Sequence, residues 1–157
     1  MNEMYSFMNR QIDKPVIHLT DESSNLKRDV LDYQKLAGYH MKLALIMRKH
    51  NQSKACLILC DWALTAMIKA LYIHENQTTI LPDEWTMNEI LPLVHTGQNP
   101  GLDIVLFIGT MQYMSLIENG PDSFAEPINL DKLLERTEQV LSELTVRILS
   151  ETNSPPI

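Results

Sequence analysis

Residues 53–73 read Ser-Lys-Ala-Cys-Leu-Ile-Leu-Cys-Asp-Trp-Ala-Leu-Thr-Ala-Met-Ile-Lys-Ala-Leu-Tyr-Ile. The run has neither Gly nor Pro, and it predicts a helix over about 53–75 with Ser53 as its cap. Ala55, Ile58, Leu59, Trp62, Ala63, Ala66, Met67, Ala70, Leu71 and Ile73 cover most of its circumference. A helix apolar nearly all round is a central one, surrounded by others. Its thin polar line is Lys54, Asp61, Thr65 and Lys69. Ala63, Ala66 and Ala70 let neighbouring helices approach closely.

The flanks supply those neighbours. Upstream, Leu26, Val30, Tyr33, Ala37, His40, Ala44 and Met47 alternate in steps of four and three, the spacing of bundle packing. They predict a helix over about 24–50, capped by Ser23 or Ser24. Downstream, Thr86-Met87-Asn88-Glu89 reads as a capping box with Trp85 and Ile90 at the staple positions. It opens a short helix to about His95, with Pro92 inside it. Asn99-Pro100-Gly101 is a turn signal. A strongly apolar helix over about 102–118 and an amphipathic one over about 129–150 complete the set. In the last helix Leu130, Leu133, Leu134, Thr137, Leu141, Leu144 and Ile148 face inward and Glu135, Glu138 and Glu143 outward. The expected fold is all-α, an up-and-down bundle of four long helices plus one short helix. Residues 21–150 form one domain. Residues 1–20 form an N-terminal arm, with Met1, Met4, Tyr5 and Met8 on one side and Val16–Leu19 extended. Residues 151–157 form a disordered tail.

Composition supports this frame. A chain of 157 residues is long enough to bury a core without disulfide or metal staples. With 45% hydrophobic and 21% charged residues it has neither the polar excess of a disordered chain nor the apolar excess of a membrane protein. Thirteen Lys+Arg against 20 Asp+Glu give a net charge of −7, which argues against a general nucleic-acid coat. The charge is unevenly spread. Residues 21–50 hold six basic and four acidic side chains, whereas residues 102–157 hold three and nine. Arg28, Lys35, Lys42 and Lys49 recur every seven residues and form one basic stripe on the first helix. No secretory signal is visible, and the apolar stretch Leu102–Ile117 is too short to span a bilayer. Cys56 and Cys60 are four apart on a helix, a poor geometry for a disulfide, so two reduced buried thiols in a cytoplasmic protein are expected.

Motifs for chemistry are missing. There is no Glu-x-x-His, no His-Glu-x-x-His, no phosphate-binding glycine loop and no Gly-x-Ser-x-Gly elbow. The histidines at 18, 40, 50, 74 and 95 are scattered, and no metal or cofactor is implied. Two features remain. Asp61, Thr65 and Lys69 form an i, i+4, i+8 polar line inside an apolar helix, a buried polar network or a water-lined groove that could bind a small ligand with His40. The stripe Arg28, Lys35, Lys42 and Lys49 is a solvated face or a docking surface for phosphate or an acidic partner.

The run from Ser53-Lys54-Ala55 to Met67-Ile68-Lys69-Ala70-Leu71, followed by Thr86-Met87-Asn88-Glu89-Ile90-Leu91, the helix around Tyr113 and the closing helix 129–150, resembles the HEPN superfamily (higher eukaryotes and prokaryotes nucleotide-binding domain). The likeness covers about residues 30–150. It implies helix-mediated homodimers and, as a further partner, a minimal nucleotidyltransferase. The departures are specific. The family's acidic residue in the second helix falls at Thr65, and its histidine after the threonine falls at Met87. The Arg-x4–6-His pair of the ribonuclease members is absent from every arginine in the chain. Without that pair the general acid–base and the phosphate clamp are lost. The expectation is therefore a non-enzymatic binding module, homodimeric through the fourth helix or the arm. The alternatives are a nucleotide or small-molecule protein using Asp61, Thr65, Lys69 and His40, and an RNA-associated protein using the basic stripe.

Overall fold

In the computed structural model five α-helices carry most of the described residues, which are 15–117 and 128–152. They are α1 (Pro15–Lys49), α2 (Ser53–Asn76), α3 (Met87–Val94), α4 (Leu102–Leu116) and α5 (Leu130–Thr152). Among the described residues there is no strand. The fold is an all-α bundle of four longer helices and a short one, as the periodicity predicts.

The central position of α2 is borne out, since it packs against each of the other four helices. Cys56, Leu57, Cys60, Ala63, Leu64, Met67, Ile68, Ala70, Leu71 and Ile73 are buried along it. By length and composition α2 is also apolar enough to cross a membrane, but most of it is buried inside the bundle. Two contacts fix the register of α1 against α2. The Lys69 ammonium lies 5.7 Å from the Tyr33 ring centroid, and the His40 and Trp62 rings are 5.6 Å apart. Seven residues forward on α1 match seven residues back on α2, so the two helices form an antiparallel hairpin. The Thr145 hydroxyl lies 3.7 Å from the Met67 sulfur, and Arg147 pairs with Glu75 at 3.3 Å. Both positions advance together, so α5 runs in the same sense as α2, as an up-and-down order of the longer helices requires.

Three local expectations need correction. Val16–Leu19 is helical rather than extended, and neither Ser23 nor Ser24 caps a helix, because α1 opens at Pro15 and runs through both serines. Proline suits the first helical position, where its fixed φ is helical and its missing N–H has no partner to lose. At α2 the cap is Gln52, with no side-chain hydrogen bond, and Ser53 is the first helical residue. The tight turn before it places Asn51 at φ 57°, and the Gln52 amide returns to the Met47 carbonyl at 2.9 Å. Met1, Met4, Tyr5 and Met8 lie outside the described residues, as do the Asn119-Gly120-Pro121-Asp122 turn and the segment 153–157.

The shorter elements obey their sequence signals. The Thr86 amide donates to the Glu89 carboxylate at 2.8 Å, the Thr86 hydroxyl accepts from the Asn88 amide, and Thr86 and Glu89 also bond side chain to side chain. This is the predicted capping box, and Pro92 is accommodated inside α3. Trp85, just before the cap, packs edge-on against Tyr72 at 5.5 Å. Gly101 caps α4 with φ 77°, and a Cβ there would sit 2.8 Å from Val94 Cγ2 and 2.9 Å from the Val94 carbonyl oxygen. Only glycine meets both demands.

Helix α5 closes the bundle with Leu134, Thr137, Val140, Leu141, Leu144 and Ile148 buried. The Thr137 hydroxyl, fully buried, donates to the Leu133 carbonyl at 2.7 Å, which satisfies it within its own helix. Three ion pairs tie α5 to three different helices. Asp131 meets Arg48 of α1 at 2.8 Å, Arg136 meets Asp103 of α4 at 3.1 Å, and Arg147 meets Glu75 of α2.

Candidate functional site

The four candidate pocket residues, Asp61, Thr65 and Lys69 of α2 and His40 of α1, do not gather into one pocket. Asp61 leans toward α4, where its carboxylate accepts from the Ser115 hydroxyl at 3.0 Å. Its other oxygen is buried and has no hydrogen-bond partner. Burial pushes the Asp61 carboxyl above its usual range, and the Ser115 hydrogen bond pulls it part of the way back. Lys69 leans the other way, over Tyr33 of α1. His40 packs against Trp62, its Nδ1 is buried without a partner, and burial lowers its pKa. Thr65 is half-buried between them on α2. The polar line is thus divided between two seams, α2–α4 and α1–α2.

Two surface clefts lie elsewhere. One, of about 440 Å³, sits between the first half of α1 and the loop after α2, lined by Glu22, Asn25, Arg28, Asp29, Thr78 and Ile80 among others. The other, of about 280 Å³, is lined by Asp29, Asp32, Tyr33 and Leu36. Neither lining includes Asp61, Thr65, Lys69 or His40. The basic stripe is placed as expected: Arg28, Lys35, Lys42 and Lys49 are all exposed on α1. Arg28 borders the first of these clefts, together with Glu22 and Asp29.

The feature that composition and periodicity missed is apolar. Trp62 belongs by its chemistry to the core of α2, yet it is 53% exposed. Beside it on α1, Tyr39 is 59% exposed and packs against His40, and Leu36 is exposed. Leu43 is half-buried one turn further along. The signal was available in the spacing. Thr65 and Lys69 stand three and seven residues after Trp62, so the tryptophan shares the face of α2 that carries the polar line. A second apolar surface lies on α4, whose Leu102, Leu106, Tyr113 and Leu116 are exposed while Ile104, Val105, Ile108, Met111 and Met114 form its core side.

The cysteines are fully buried. A hydrogen bond with Cys56, together with burial, pushes the Cys60 thiol far up, so it stays protonated. Among the described residues no three His, Cys, Asp or Glu side chains gather as a metal site.

The fold and this surface define an all-α helical bundle with an exposed aromatic and aliphatic face. No protein-family model, curated protein or solved structure matches the chain.

Proposed function

We propose that the chain is a non-catalytic, HEPN-like interaction module that acts as a homodimer. The observation that carries this reading is the pair of exposed aromatics, Trp62 and Tyr39, joined through the His40 ring at 5.6 and 6.4 Å, with Leu36 also exposed on α1. Scattered apolar side chains are normal on a surface, but a contiguous aromatic patch marks a docking site. Tryptophan and tyrosine are the residues that most often dominate such contacts. The absence of an Arg-x4–6-His pair supports a binding role over RNA cleavage. The family likeness supports a minimal nucleotidyltransferase as a further partner, for which the exposed Glu135 and Glu138 of α5 offer an acidic surface.

Light scattering coupled to gel filtration tests the reading. A species of twice the 18.0 kDa chain mass is expected at micromolar concentration. A monomer up to tens of micromolar would refute it.

A further inference from the structure

We propose that two copies of the chain pair isologously across the α1–α2 face, with their α1 helices antiparallel and the two-fold axis at His40 and Trp62. The inference rests on the homodimer reading and names its surface and orientation.

Asp29, Asp32, Leu36 and Leu43 succeed one another in steps of three, four or seven, which keeps them on a single side of α1, and His50 stands in the turn just past its end. Asp29, Asp32 and Leu36 line one cleft together, in keeping with a shared side at that end. His40 touches Trp62, so the same side meets the exposed edge of α2. On α2, Lys54, Ile58 and Trp62 stand at i, i+4 and i+8 and lead back to the hairpin turn. The combined strip therefore has three zones. Asp29 and Asp32 form an acidic end with no ion pair within 4 Å among the described residues. Leu36, Tyr39, His40, Leu43 and Trp62 form an apolar middle. Lys54 forms a basic end beside the turn.

This order is self-complementary only when a second copy is turned end for end. The span from Asp32 to His50 is about 27 Å at 1.5 Å per residue. Its midpoint falls at Met41, next to His40, and the hairpin register places Trp62 at that same level. A two-fold axis there stacks the apolar middles on each other and brings each acidic end onto the partner's basic end. A parallel arrangement would oppose like charges. The remaining cation of the strip, Lys69, is engaged on the Tyr33 ring. Two helices side by side give the strip a width of about 20 Å, so its outline covers about 540 Å² per partner, at the small end for a specific interface.

The test uses the full chain and four variants, each checked for helicity and cooperative melting. Trp62→Glu should raise the dimer dissociation constant by roughly tenfold or more. Leu106→Glu, on the exposed side of α4, should leave it unchanged. The double variants Asp29→Lys/Asp32→Lys and His50→Asp/Lys54→Glu should each be monomeric alone, because their two ends carry like charges. Mixed in equal amounts, they should form a heterodimer. If the parent is monomeric, both this inference and the homodimer reading fail. If the parent is a dimer that Leu106→Glu breaks and Trp62→Glu does not, self-association stands and this face is wrong. If Trp62→Glu breaks the dimer but the charge-reversed pair does not recombine, the antiparallel register is wrong.

Discussion

Asp61 and His40 show how little of a site a residue type reveals alone. Both stand out in the sequence as polar groups in apolar helices, and both have a buried atom without a partner. They nonetheless face different seams, because Asp61 and Trp62, the residue that meets His40, are consecutive on α2 and point about 100° apart around it. The raised Asp61 carboxyl binds its proton more tightly folded than unfolded. Its contribution to stability is therefore best at low pH and falls as pH rises from the unfolded carboxylate range through the folded value. Asp61→Asn keeps an acceptor for Ser115 and removes the desolvated charge. It should stabilise the fold at pH 7 by about 1 kcal/mol and flatten that part of the stability curve, as urea unfolding at several pH values would show. For His40 the sign is opposite. Its lowered pKa means the unfolded chain takes up the proton first, so the stability it contributes is intact above its unfolded value near 6.5 and is lost as pH falls through the folded one. His40→Gln should remove that acid sensitivity. A change in neither slope would mean these groups are solvated in the folded chain.

At the scale of elements, the interior was far more legible than the ends and edges. Apolar patterning located the four longer helices, because burying apolar side chains demands a repeat, and the capping box located α3. The α2 core, the inward line of α5 and the Thr86–Glu89 box could be read directly. The start of α1 could not, since Pro15 is compatible with both a break and a first helical turn, and residues downstream of it make the choice. Trp62 was misleading for a different reason: apolar chemistry is shared by cores and docking faces, and only the angular position against Thr65 and Lys69 separates them. Two substitutions probe the punctuation. Thr86→Ala removes the cap acceptor of α3 and should cost about 1 kcal/mol. Gly101→Ala forces a Cβ onto Val94 at a positive φ and should cost more, about 1–3 kcal/mol. Equal effects in thermal or urea melts would show that the Val94 contact relaxes freely.

Across the whole molecule, charge and burial divide the work, and α5 shows how. The net charge of −7 is concentrated toward the C-terminus, yet α5 is bound to the bundle partly through Asp131, Arg136 and Arg147, each reaching a different helix. No spacing rule could have paired them. Arg136 and Asp103 are 33 residues apart and Arg48 and Asp131 are 83 apart, in a chain whose register is set by packing. The Arg48–Asp131 and Arg136–Asp103 pairs reach solvent, so each contributes little, about 0–1 kcal/mol, and salt screens them. The buried Leu134, Val140, Leu141, Leu144 and Ile148 hold α5 in place. Raising the salt concentration to about 0.5 M should therefore lower the unfolding free energy by no more than about 1–2 kcal/mol. Leu144→Ala, at a side chain only 2% exposed, should lower it by about 3 kcal/mol at any salt. The same salt should act differently on the proposed dimer, whose acidic and basic ends lie at the rim around an apolar middle. There it should slow association and leave the dissociation rate nearly unchanged, since rim charges steer encounter and the Trp62–His40 centre governs residence. A dissociation rate that climbs steeply with salt would instead place the charges, and not the aromatics, at the heart of the contact.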